Sequence, residues 1–137
     1  MSFSSDGRFV AYQSSETGRP EVYVESFPGS EERVMVSKDG GTEPLWAQNG
    51  EVFFRHDDEF RVAAPRRPGG LEFEPPRILF RAALPTGNNN QRRSYAVTRD
   101  GARLLAIMTP YANQPRQIEL IADWTSDLWR LAPRAQK

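Results

Sequence analysis

One pattern, met three times along the chain, restricts the fold more than anything else in the sequence. Phe3-Ser4-Ser5-Asp6-Gly7-Arg8-Phe9-Val10-Ala11-Tyr12 aligns with Trp46-Ala47-Gln48-Asn49-Gly50-Glu51-Val52-Phe53-Phe54. Both align with Val97-Thr98-Arg99-Asp100-Gly101-Ala102-Arg103-Leu104-Leu105-Ala106. Each copy has a large apolar residue, a polar turn closed by Asp-Gly or Asn-Gly, and then a hydrophobic strand. Glycine after Asp or Asn supplies the positive φ of a tight hairpin turn, and the strands on either side supply the pairing. The three units are therefore expected to be hairpins.

The glycines Gly7, Gly50 and Gly101 recur at about 45 to 50 residues, the size of a four-stranded propeller blade and too long for one hairpin. Further strands fit between them. Pro20 to Phe27 alternates polar and apolar residues, and Phe60 to Ala64 and Gln117 to Ala122 lie at comparable offsets as third strands. Arg33 to Ser37 and Arg77 to Phe80 read as outer strands, and Lys38-Asp39-Gly40-Gly41 leads into an inner strand, Glu43 to Trp46. The order becomes B-C-D, A-B-C-D, A-B-C. The expected fold is all-β, a partial propeller of about three four-stranded antiparallel sheets. Blade one covers about residues 1–38, blade two about 39–83 and blade three about 92–124, with a tail at 125–137.

The first copy resembles the Phe-Ser-Pro-Asp-Gly signature of TolB-like propeller repeats. Gly18-Arg19-Pro20-Glu21-Val22-Tyr23-Val24 is similar to that family's Gly-x-x-Asp-Ile-Tyr-Val segment, and Gly40-Gly41-Thr42-Glu43-Pro44-Leu45-Trp46 to its Gly-Gly-x-x-Pro-x-Trp lead into the next blade. Ser5, Gln48 and Arg99 replace the usual Pro before the turn, and Asn49 replaces the Asp of the middle copy. The ending Ile118-Glu119-Leu120-Ile121-Ala122-Asp123-Trp124 resembles the last strand of propellers attached to bacterial sensor kinases. The resemblance implies a non-catalytic scaffold for protein or peptide binding. The alternative it implies is the C-terminal propeller portion of a larger sensor kinase or peptidase-associated protein.

Propeller rings hold 4 to 8 blades, so about three would leave two blade faces uncovered. Two copies head to tail would give six blades, and so the expected partner is a second copy or the other blades of a longer chain. Eighteen basic and eighteen acidic residues cancel, which removes the strong field of a dedicated nucleic-acid binder. The longest apolar run, Leu104 to Met108, falls far short of the roughly 20 residues of a membrane-spanning helix. Met1-Ser2-Phe3-Ser4-Ser5-Asp6 lacks a leader's basic then apolar pattern. The expectation is a soluble chain, cytoplasmic if full length and periplasmic or extracellular if a fragment.

The chain has no Cys and one His, so thiolate chemistry and thiolate-bound zinc are excluded. His56 stands beside Asp57, Asp58 and Glu59, which allows acid–base or metal chemistry. A solvated turn between strands B and C explains the same residues. Arg66-Arg67 and Arg92-Arg93 read either as phosphate contacts or as solvated loops. Pro85 to Gln91 reads as an exposed loop. Trp46, Phe53, Phe54, Phe9 and Tyr12 could form a stacking platform, but their alternation favours packing between blades. Trp124, Leu128 and Leu131 have the spacing of a short helix that also carries Trp129. No Gly-x-Ser-x-Gly elbow or P-loop occurs. No catalytic, cofactor-binding or metal residue is assigned, and no cofactor is expected.

Overall fold

The computed structural model describes residues 1–29, 32–82, 93–107 and the strand 119–121. These residues form three antiparallel sheets and contain no helix. The first sheet joins β1 (Ser2–Phe3), β2 (Phe9–Ser14), β3 (Glu21–Ser26) and β4 (Arg33–Met35) in chain order. The second joins β5 (Thr42–Trp46), β6 (Val52–His56), β7 (Glu59–Ala63) and β8 (Arg77–Arg81) in the same way. The third joins β9 (Tyr95–Val97), β10 (Leu104–Ala106) and β11 (Glu119–Ile121). One detail of the expected strand count changes. Sheet 1 has a first strand of its own, because Ser2 and Phe3 pair with Ala11 and Val10. Sheet 3 has three strands among the described residues, in line with the A-B-C order.

The repeated turns link the first and second strands of each sheet, and their glycines take φ of 71° at Gly7, 87° at Gly50 and 75° at Gly101. They are wider than the tight bend that the dipeptides suggest. In copies one and three the closing bonds run from Ser4 N–H to Phe9 O at 2.9 Å and from Thr98 N–H to Arg103 O at 2.9 Å. In the middle copy Ala47 N–H reaches Glu51 O at 3.0 Å, enclosing one residue fewer. The longer turns have an additional acceptor. Ser4 Oγ accepts from Phe9 N–H and Thr98 Oγ1 from Arg103 N–H, each at 3.0 Å, where Ala47 has no hydroxyl to offer. The Asp or Asn serves as an acceptor inside the loop, as Asp6 does for Arg8 N–H and Asn49 for Glu51 N–H.

The shorter middle turn shifts the strand that follows by one residue relative to its glycine. Register pairs Phe3 with Val10, Trp46 with Val52, and Val97 with Leu104, which makes Val10, Val52 and Leu104 equivalent. Successive side chains of a strand point to opposite faces, so sheet 2 turns one face toward sheet 1 and the other toward sheet 3. Sheet 2 lies between the other two. Val52, Phe54 and Ala63 bury one of its faces against Ala11, Val22, Val24 and Val36 of the sheet 1 side. Phe53, Phe60, Val62 and Leu79 bury the other against Tyr95, Leu104 and Ala106 of sheet 3.

Gly40 and Gly41 position the connection between sheets 1 and 2. A Cβ on Gly41 would lie 2.9 Å from both Ser37 Cβ and Val22 Cγ2. Gly40 has φ 115°, and its Cβ would meet His56 Cδ2 at 2.9 Å. Only a glycine pair lets this backbone press between β3 and the end of β6.

Candidate functional site

The most elaborate constellation in the described residues joins the first strands of the sheets. The Trp46 N–H of β5 donates to Ser2 Oγ of β1 at 3.0 Å. The Arg93 guanidinium, just before β9, donates to Met1 O at 3.3 Å and to Pro44 O at 3.2 Å. Three sheets thus meet at one side chain. Next to it Glu43 sits in a bulge where the β5–β6 register shifts between Thr42 and Leu45, and it holds a left-handed φ of 54°. That conformation is costly for a residue with a Cβ and persists only where surrounding contacts fix it.

The contacts that fix it are visible. Ser94 donates to Glu43 Oε2 through its N–H at 2.6 Å and through its hydroxyl at 2.7 Å, and Tyr95 Oη donates to Glu43 O at 2.7 Å. Burial drives the Tyr95 phenol far above its ordinary range. Arg55, with a side chain only 9% exposed, donates through Nη1 to Glu43 Oε1 and Ser94 Oγ, and through Nη2 to Asp57 O, all at 3.0 Å. Its Nε has no hydrogen-bond partner among the described residues. A carboxylate, a hydroxyl and a guanidinium in contact could support acid–base chemistry. Here both Glu43 oxygens are engaged by neighbouring donors, and the group acts as a clasp between sheets 2 and 3.

Two buried acids form a second recurring feature. Glu21 and Glu59 each begin the third strand of their sheet, paired with Ser14 and His56 respectively. Glu21 is 1% exposed and accepts from Ser37 Oγ, from Gly40 N–H at 3.1 Å and from Arg19 Nε at 2.7 Å. Burial raises its pKa, but those donors outweigh burial and hold the carboxyl below its ordinary value. Glu59 accepts from Arg61 Nε at 2.7 Å and Arg81 Nη2 at 2.5 Å. The Arg61 hydrogen bond leads in holding its carboxyl low, against the opposing effect of burial. Beside Glu21, an open groove of about 330 Å³ is lined by Thr17, Gly18, Arg19, Glu21, Met35 and Lys38.

His56 is the last residue of β6 and is half-buried against Gly40. Its Nδ1 lies 2.9 Å from Arg61 Nη2 and 3.7 Å from Glu59. Asp57 and Asp58 form the exposed two-residue turn, with φ 53° at Asp57. The sequence grouped Glu59 with them, yet the structure buries it. No cluster of three or more His, Cys, Asp or Glu suited to a metal occurs among the described residues. Arg66 and Arg67 are exposed, and Arg66 pairs with Glu74 at 3.4 Å. Arg93 is committed to the Met1 and Pro44 carbonyls, and Arg92 lies outside the described residues. So do the 85–91 loop and the Trp124, Leu128, Trp129 and Leu131 tail.

Four of the five aromatic residues pack between sheets. Phe53 and Phe54 are buried, and Phe9 stacks on Trp46 with ring centroids 6.1 Å apart. Tyr12 is the exception. It lies on the opposite face of sheet 1, stacked on Tyr23 at 6.0 Å under Arg33. Its hydroxyl donates to Glu25 at 2.6 Å, and burial first, then that bond, pushes the phenol up to about 12. The expected inter-sheet role is corrected for this residue, because its register partner Tyr23 faces away from Val22 and Val24. The clasp residues Glu43, Arg55 and Ser94 were not singled out in the sequence. Their signals were a charged residue directly before Pro44 and an Arg ending an apolar strand. No protein-family model matches this chain, and no curated protein matches it. No helix in the described residues is long and apolar enough to cross a membrane.

Proposed function

We propose that this chain is a non-catalytic scaffold of the β-propeller type, whose loop ends hold a protein or a peptide. The observation that carries the reading is the joining of three consecutive four- or three-stranded meanders at their inner strands, through Arg93 on Met1 O and Pro44 O. Sheets stacked with their first strands together are how blades meet around an axis. Such a scaffold offers its loops as binding surface. The groove beside Glu21 lies at those loops, with Arg19 and Lys38 on its rim and Met35 in its wall.

The test is a peptide-display selection followed by calorimetry on the purified chain. Selected peptides should bind and should lose about tenfold or more in affinity on Lys38→Glu, a change at an exposed rim position. Peptides that bind the Lys38→Glu variant equally well would move the site elsewhere, and a selection that yields no binder would sink the reading. A second reading, the C-terminal propeller portion of a larger sensor kinase or peptidase-associated protein, draws on exposed apolar positions of the end sheets such as Phe3 and Leu105. In that arrangement further blades would cover them.

A further inference from the structure

Sheet 2 sets the standard for what each face of a sheet in this chain is built to do, because both of its faces are covered. At positions facing the following sheet, Ala11 and Phe53 are buried, whereas the equivalent Leu105 of sheet 3 is 41% exposed. Ile107, two residues on, is 62% exposed. At positions facing the preceding sheet, Trp46, Val52 and Phe54 pack into the first seam. Their equivalents in sheet 1 are Phe3, Val10 and Tyr12, and Phe3 is 47% exposed. The two open faces have opposite sense. One chain therefore carries both halves of a contact of the kind already made twice within it.

We propose that the open face of sheet 3 docks on the open face of sheet 1 in a second copy of this chain, head to tail and twice, closing a ring of six sheets. This rests on the propeller-type reading above, and six lies within the 4 to 8 units that such rings hold. Equivalence fixes the pairing. Phe9 stacks on Trp46 across the first seam. Arg103 is equivalent to Phe9, and Phe3 to Trp46, so the contact sets the Arg103 guanidinium over the Phe3 ring, a favourable cation–π arrangement. Leu105, equivalent to Ala11, then covers Val10, beside the Tyr12 ring that Arg33 already caps. The outer part of the sheet 1 face is already closed by Arg33 over Tyr23, 4.0 Å from its ring centroid, which confines the contact to the inner strands.

The chain has no cysteine, so pairs can be introduced and joined with a short bis-maleimide. Phe3→Cys with Arg103→Cys should give a covalent product of two chains that grows no further. A ladder of higher products, or single chains alone, overturns the proposal. Gln48→Cys with Arg99→Cys checks the fold separately, since Gln48 N–H donates to Arg99 O at 2.7 Å within one chain. Its failure would strike the sheet stack itself, whereas failure of the first pair alone strikes only the closure. Sedimentation of the unmodified chain should give twice the 15.6 kDa chain mass, and a single-chain species overturns the closure. Leu105→Asp should weaken the two-chain species at least about tenfold with the β-sheet circular dichroism retained. A two-chain species unchanged by that substitution also overturns it.

Discussion

The two seams of this chain are sealed by different physics. Between sheets 1 and 2 the fully buried core is mostly aliphatic, with Ala11, Val22, Val24, Val36, Val52 and Ala63 around the ring of Phe54, while the rings of Phe9, Trp46 and Phe73 pack at its half-buried margin. Between sheets 2 and 3 the rings lie in the buried core itself: Phe60, stacked on its strand partner Phe80 at 4.5 Å within sheet 2, meets Tyr95 of sheet 3 edge-on at 5.2 Å. The second seam also contains the charged Glu43–Arg55–Ser94 clasp, where the first seam has the Ser2 bond to Trp46 N–H and two longer bonds, from Glu43 N–H to Gln13 Oε1 and from Arg8 Nη2 to Gly69 O, each at 3.4 Å. The contrast follows from strand content. Sheet 3 offers short strands, β9 and β10 of three residues each, so large rings and charged hydrogen bonds supply what area cannot.

The largest effect should come from the rings. Phe60→Ala removes a side chain that is 1% exposed and touches two other rings, and should cost about 3–5 kcal/mol in chemical denaturation. Val24→Ala, in the first seam, should cost about 1–3 kcal/mol because it removes two methyl groups. Equal losses would erase the distinction between the seams. Next in size is Glu43→Ala, which strands the Arg55 guanidinium. The expected loss is about 2–3 kcal/mol, below the fully buried case because Glu43 keeps 23% exposure. Adding Arg55→Met to Glu43→Ala should recover part of that loss. A double variant as unstable as the sum of the two single changes would mean that the clasp carries no coupling.

The two buried acids sharpen the comparison through pH. Glu21 and Glu59 both titrate below their ordinary value in the folded chain, so their ionised forms stabilise it. That contribution is complete above the unfolded carboxylate range near 4.3 and is lost as pH falls through the lower folded values. Glu21 relies on Ser37 and the Gly40 amide as well as on Arg19, whereas Glu59 relies mainly on two guanidiniums. Ser37→Ala should therefore cost about 1–2 kcal/mol at neutral pH and move the acid unfolding midpoint upward. Acid titrations of the two proteins that superimpose would show that Ser37 does not hold the carboxylate.

Period-two alternation and the glycine-closed turns made the all-β architecture legible, since β2, β3, β6 and β7 announce themselves by strand chemistry. The clasp was much less so. Glu43 lies in a strand broken by Pro44, and nothing local says that its carboxylate will meet Ser94, 51 residues on. Tyr12 misled for a related reason. Alternation assigns residues to faces but does not say which face a neighbouring sheet will cover. That depends on turn length, and the turn lengths differ by one residue between copies that look alike.

The smallest expected effect tests that last point. Ser4 and Thr98 each place a hydroxyl against the additional amide of a longer turn, and Ala47 stands where the turn is shorter. If the hydroxyl is what stabilises the longer loop, Ser4→Ala and Thr98→Ala should each cost about 0.5–1 kcal/mol, read as a shift in denaturation midpoint at unchanged slope. Ala47→Ser should leave stability unchanged within error, because the middle turn has no unpaired amide at that place. A gain from Ala47→Ser equal to the losses at the other two sites would mean that the hydroxyl acts as a generic turn former. The one-residue offset that turns Phe53 toward sheet 3 and Ala11 toward sheet 2 would then need another cause, in the pull of the flanking cores on the register of β6.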